Sequence, residues 1–206
     1  MNLIGNLESP KVLVIGVFHG DEPQGKYLTE KYYETHPNTS LLFLPCLNKT
    51  GHQKGTRKNS NGVDLNRNFP TKNWVRTNIE DDYYGGDFPA SEEETKFVIK
   101  IVEEYCPKLI LALHAPYKVV NYDGGEDAKV ISKKISGIIG YPVEKNIGYP
   151  TPGSFGTWAG IEKNIPTITL ELDEIVDIKE LIEPVFAVFE MLEAEYGKNQ
   201  RNSKRK

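Results

Sequence analysis

The sequence predicts an α/β fold, a single domain over residues 1–197 built on a mostly parallel, mixed central sheet with helices on both faces. Three observations lead there. Short, β-branched apolar runs alternate along the chain with longer amphipathic stretches. The runs are apolar at nearly every position, as strands buried on both faces are, rather than alternating as half-exposed strands do. The 206 residues, 38% apolar and 26% charged, are enough to bury one real core and remain soluble.

Each element follows from its local chemistry. Residues 11–18, KVLVIGVF, lie between Pro10 and Gly20 and read as a central strand. Residues 22–34 carry good helix formers, with Tyr27, Leu28, Tyr32 and Tyr33 as their apolar positions, and stop before His36-Pro37. Residues 41–47 form a second strand. The polar stretch 48–77 is too long for an ordinary connection, so it is read as a functional loop. In residues 91–105, Ser91 and Glu94 have capping-box spacing, and Phe97, Val98, Ile101 and Val102 recur at helical period. A strand over 109–113, a helix over 128–140, a strand over 166–172 and a helix over 178–196 complete the pattern. Pro184 is tolerated in the last helix only as a kink or a restart. Ligands are expected beyond the carboxyl ends of such strands.

Composition excludes several functions. A net charge of −4 argues against a nucleic-acid binder, whose footprint is a basic surface. No apolar run approaches the roughly 18 residues that a membrane span needs. The first twenty residues lack a basic leader followed by an apolar stretch and a small-residue cleavage site, so a cytoplasmic location is expected. Cys46 and Cys106 sit in no metal-binding or redox spacing and are read as reduced, buried packing residues. Residues 198–206, KNQRNSKRK, hold five basic side chains and no acidic or apolar one, and are expected to form a disordered, solvated tail.

The chemistry lies just beyond the apolar runs. His19 and Glu22 follow the first strand, with Gly20 between them to let the backbone turn so that both face one point. His114 follows the strand at 109–113, and two histidines with one carboxylate, leaving a fourth position for water, form a catalytic zinc arrangement. His36 and His52 compete for the third position, but one ends a helix and the other sits in a polar loop. A zinc-bound water needs a proton acceptor. Glu171, flanked by Leu170 and Leu172, is the candidate, although alternation puts it on the same face as Asp173, which could equally be the solvent face. In the segment 55–70, Arg57 and Arg67 supply forks suited to a carboxylate or an oxyanion, beside Asn59, Asn66 and Asn68.

The motifs GVFHGDE, NGVDLNRNFP, LHAP and ITLELDE together resemble the zinc metallocarboxypeptidase superfamily. TRKNSNGVDLNRNFPTKNW and GYPTPGSFGTWAG are similar, within it, to the murein peptide amidase group. The resemblance spans about residues 11–175. It implies one Zn2+ per chain on His19, Glu22 and His114, Glu171 as general base and acid, and Arg57 at the oxyanion. It also implies Asn66 and Arg67 on the carboxylate of the leaving amino acid, and a substrate loop formed by Tyr149, Gly153, Ser154 and Phe155. The implied partner is a small peptide like the murein tripeptide, cleaved between γ-D-glutamate and meso-diaminopimelate during cell-wall peptide recycling. A deacylase of the aspartoacylase or succinylglutamate desuccinylase type shares HxxE and the DLNR element and is the alternative enzyme. A catalytically silent zinc- or peptide-binding protein is the third reading, disfavoured because a binder has no use for Glu171 and Arg57.

Overall fold

A computed structural model describes residues 1–145 and 148–197. The basic segment 198–206, expected to form a tail, lies outside the described residues. Strands β1 (Ile4–Gly5), β2 (Val12–Ile15), β3 (Leu42–Leu44), β4 (Leu109–His114), β5 (Val119–Asp123), β6 (Val143–Glu144) and β7 (Thr167–Glu171) make one sheet in the order β1-β3-β2-β4-β7-β5-β6. Pairing is parallel except between β1 and β3 and between β5 and β7. The expected mostly parallel, mixed sheet is therefore present.

Every residue of β2 and β4 is buried, which is why these strands read as continuous apolar runs. Alternation divides their side chains between two cores. Val12 and Val14 join Leu109, Leu111 and Leu113 beneath α1 (Gln24–Thr35), α4 (Glu126–Ile139) and α5 (Ile182–Tyr196). Leu13, Ile15, Ile110 and Ala112 face α3 (Glu93–Tyr105) and the aromatic group Phe69, Phe155 and Trp158. No helix among the described residues is long and apolar enough to cross a membrane.

Several local expectations need correction. Ser91 does not cap α3, which starts at Glu93; its hydroxyl donates to Glu92 and accepts from the Asn68 side chain, so tertiary contacts consume the capping group. Of the two ways expected to accommodate Pro184, the restart is the one found: a 3-10 turn over Ile178–Leu181 precedes α5, and Pro184 falls in its first turn, where no N–H partner is needed. Cys46 is buried and burial pushes its thiol up to about 11, but Cys106 is exposed at the left-handed end of α3 rather than packed. Strands β1, β5 and β6, and helix α2 (Lys49–Lys54) inside the long polar stretch, went unforeseen in the sequence.

The topology decides where a ligand goes. After β2 the chain pairs β3 on one side and β4 on the other, so the carboxyl ends of β2 and β4 flank a switch point where a crevice opens. His19 follows β2, His114 ends β4, and the register sets His114 beside Glu171 at the end of β7.

Candidate metal centre and active-site cleft

His19, Glu22 and His114 converge from two elements, with one donor atom from each lying within 4.8 Å of the others. His19 Nδ1 stands 2.7 Å from Glu22 Oε1, and His114 Nδ1 stands 3.0 Å from Glu22 Oε2. Gly20 makes the turn possible by close approach rather than by an unusual backbone angle. A Cβ there would sit 2.0 Å from the Gly51 carbonyl carbon, so α2 packs directly against the turn. Val17, with φ 51, takes a conformation that a β-branched residue rarely adopts, and this redirects the chain as it leaves β2. The His114 ring stacks on Phe18, with centroids 5.2 Å apart and planes at 15°, which fixes its orientation.

Asp64 is a residue of the site that sequence reasoning missed. It is fully buried, its Oδ1 lies 3.2 Å from His19 Nε2, and its Oδ2 accepts from Arg57 Nε at 3.1 Å and from Arg57 Nη2 at 2.8 Å. A carboxylate behind a ligating histidine holds the ring in register. Its signal in the sequence is an acid between Val63 and Leu65 in an otherwise polar loop, beside the more conspicuous Asn66-Arg67. Asn48 was missed as well. Its Oδ1 accepts from Gly51 N to start α2, while its Nδ2 donates to the Phe18 and Arg57 carbonyls, tying the ligand turn to the arginine loop.

The electrostatics of this cluster call for a cation. Burial opposes charge on His19, yet the Asp64 and Glu22 carboxylates overcome it and raise its pKa from 6.5 to about 9. Burial likewise opposes ionisation of Glu22, and His19 and His114 bring it down to about 2. Two imidazole nitrogens turned toward one carboxylate, backed by a further carboxylate, suit a divalent metal of the zinc type.

Around these residues runs a cleft of about 280 Å3, lined also by Arg57, Asn66, Arg67, Tyr83, Asp123, Tyr149, Ser154 and Glu171. Glu171 is buried, and its Oε2 has no hydrogen-bond partner among the described residues. Burial raises its pKa. The alternative of a solvent face shared with Asp173 does not hold, because β7 ends at Glu171 and Asp173 is tied to Lys118 at 2.9 Å. Arg57 Nη1, not engaged by Asp64, lies 3.3 Å from His19 Nδ1. Asn66 Oδ1 accepts from Phe155 N, which leaves its amide NH2 as a donor.

The expected substrate loop divides. Tyr149 and Ser154 line the cleft, together with Thr151 and Gly156. Phe155 does not: it is buried against Phe18 and Phe69 as part of the core. Gly153 is likewise a packing residue, since its Cβ would stand 2.1 Å from the Arg67 carbonyl oxygen. His36 stacks on Tyr32 away from the cleft, and His52 lies in α2 beside a separate groove that includes Cys46.

A buried His/Glu/His triplet at the carboxyl ends of a mostly parallel sheet, beside an arginine-lined cleft, defines a metallohydrolase. The zinc carboxypeptidase family matches residues 4–181, and the chain belongs to that family. It is similar to murein peptide amidase A of Vibrio campbellii, with 36% identity over 177 residues that cover 79% of this chain and 69% of that protein. The murein peptide amidase A of Escherichia coli K12 is 32% identical over 201 residues, which cover 87% of this chain and 78% of the relative. The crystal structure of murein-tripeptide amidase MpaA from Escherichia coli O157 aligns with a TM-score of 0.77 at 28% identity, over 91% of this chain and 82% of that one. Carboxypeptidase A from Helicoverpa armigera shares the fold, with a TM-score of 0.74 at 17% identity over 94% of this chain and 62% of that one.

Proposed function

We propose that this enzyme is a zinc amidase that hydrolyses the γ-D-glutamyl-meso-diaminopimelate bond of murein peptides, with His19, Glu22 and His114 as the ligands of one Zn2+. The observation that carries this reading is the presence of opposite charges in one cleft: the Arg67 guanidinium and the Asp123 carboxylate line the same space as Glu171. A leaving diaminopimelate presents a carboxylate beside the scissile nitrogen, for Arg67, and an ammonium at its far end, for Asp123. Similarity to the murein peptide amidases supports the same substrate.

A Zn2+ held by His19, Glu22 and His114 would supply polarisation of the scissile carbonyl and acidification of the attacking water. Glu171 Oε2, buried and without a partner among the described residues, takes the water proton and returns it to the leaving amine. Its raised pKa suits both halves of that exchange. Arg57, anchored on Asp64 through Nε and Nη2, directs Nη1 to the developing oxyanion. Arg67 and the Asn66 amide hold the terminal carboxylate.

Incubating the zinc-loaded protein with L-Ala-γ-D-Glu-meso-diaminopimelate is expected to release free diaminopimelate, detected by mass spectrometry. Faster hydrolysis of N-acetyl-aspartate or N-succinyl-glutamate would instead establish the deacylase reading. Loss of the Arg67 fork is expected to lower kcat/KM at least ~30-fold, about 2 kcal/mol, since the substrate carboxylate is then buried without its partner. Arg67→Lys should fail nearly as badly as Arg67→Ala, because an ammonium cannot reproduce a planar two-bond fork. Amidating the substrate carboxylate should cost the wild type a similar factor and Arg67→Ala little.

Asp123 gives the reading a pH signature. Burial raises its pKa from 3.8 to about 6, so the carboxylate is mostly neutral at pH 5 and charged at pH 7.5. Only the charged form pairs with an ammonium. KM for the tripeptide is therefore expected to fall roughly tenfold between those pH values, as an acid one unit below its pKa is about a tenth ionised. Asp123→Asn should hold KM at the high, acid-side level throughout. A KM that keeps its pH dependence in that variant would remove Asp123 from substrate binding. The location is read as cytoplasmic, where recovered wall peptides are reused, and recovery of the native protein in the periplasmic fraction of its own cells would overturn that.

A further inference from the structure

Arg57 and Arg67 are held in different ways. Arg57 has the buried Asp64 carboxylate, whereas Arg67, itself only 5% exposed, donates from Nη1 to the Asn66 carbonyl at 2.8 Å and has no carboxylate within ion-pair distance among the described residues. What lies over its guanidinium is the Tyr83 ring, with Arg67 Cζ 5.1 Å from the ring centroid. The same ring stands 5.4 Å from Arg57 Cζ and 6.1 Å from the Tyr149 ring. Tyr83 is 44% exposed, so it is not a core aromatic, and it lines the cleft.

The segment that carries Tyr83 is fastened to the site on both sides. Tyr83 N donates to Asp81 Oδ1 at 2.8 Å, and Lys58 Nζ donates to the Asp81 carbonyl. Tyr84 is buried, and its carbonyl accepts from Asp64 N at 2.8 Å. Gly85 lies so close to the Arg67 carbonyl oxygen that a Cβ would stand 2.4 Å from it. A flexible cover would have none of these ties.

We propose that Tyr83 is a positioning residue whose ring holds the Arg67 guanidinium in the cleft and thereby sets affinity for the carboxylate end of the substrate. An aromatic face stabilises a cation by its quadrupole without using the in-plane N–H donors. A carboxylate partner would occupy those donors and compete with substrate; the ring leaves them free for the planar fork that a carboxylate needs. This rests on the reading of Arg67 as the carboxylate partner.

The test compares Tyr83→Phe, Tyr83→Leu and Tyr83→Ala with the wild type, all zinc-loaded. For the tripeptide, Leu and Ala are expected to raise KM roughly tenfold, the scale of a partly desolvated cation–π contact, with kcat within about threefold of wild type. Phe keeps the ring and is expected to restore the wild-type KM. The effect should vanish when Arg67 is already Ala. A second arm needs no substrate: phenylglyoxal labelling of Arg67, mapped by peptide mass spectrometry, should run faster in Tyr83→Ala than in wild type or Tyr83→Phe. Labelling rates that do not differ, a Leu variant as good as Phe, or a full KM effect in the Arg67→Ala background would each overturn the proposal. If wild type releases no diaminopimelate, the substrate reading fails on its own, and the labelling arm still decides the role of Tyr83.

Discussion

Glu171→Gln is expected to keep the fold and the bound zinc while losing at least about 100-fold in kcat, the low end of what a positioned acid and base contributes. The amide is nearly isosteric with the acid, so the packing around β7 is retained, but it can neither take the water proton nor return it to the leaving amine. Among the described residues, Glu171 Oε2 is buried with no hydrogen-bond partner, and Asp173, the nearest substitute along the chain, is engaged by Lys118. Besides the proposed ligand Glu22, the other carboxylates that line the cleft are Asp21, Asp123 and Glu174. Thermal unfolding and metal analysis of the variant, run beside the kinetics, separate loss of chemistry from loss of structure. Near-normal turnover would move the base elsewhere.

His114→Ala is the second large effect, read on the metal rather than on the rate. Two remaining ligands make a weak site, so zinc affinity should fall by more than the roughly 10–100-fold that losing an outer hydrogen-bonding partner costs. Stoichiometry after dialysis against a weak chelator is expected to drop well below one per chain. The variant should still fold, since His114 sits at the open end of β4 and the strand's apolar run is untouched. His36→Ala and His52→Ala should leave the metal in place, because both lie away from the cleft. Full zinc in His114→Ala with loss in either of the other two would refute the ligand set.

Which residues belonged to the cleft was legible where chemistry and strand ends coincide. An apolar run that stops at a histidine or contains a glutamate carries a side chain that a core does not require, and His19, His114 and Glu171 all stand in that position. Asp64 and Tyr83 were not legible in this way. Asp64 is reached by His19 across 45 residues of chain, and Tyr83 meets two arginines from a loop distant in sequence from both. Their importance is a property of the contact, not of the segment. Phe155 errs in the opposite direction: the resemblance implies a substrate-loop residue, but Phe18, Phe69 and Trp158 enclose it.

The sequence alone determined that the chain folds as an α/β sheet protein with polar chemistry at its strand ends, because hydrophobic periodicity and strand termini are local properties that each segment carries with it. Only the tertiary structure decided the antiparallel pairing of β1 and β5, too short or too polar to announce themselves, and the loss of Ser91 as a cap to Asn68 and Glu92. It also decided the pairing of His114 with Glu171 across β4 and β7, and the capture of both arginines by Asp64 and Tyr83. These depend on which distant segments share one crevice, and register and packing set that only once the whole sheet has formed.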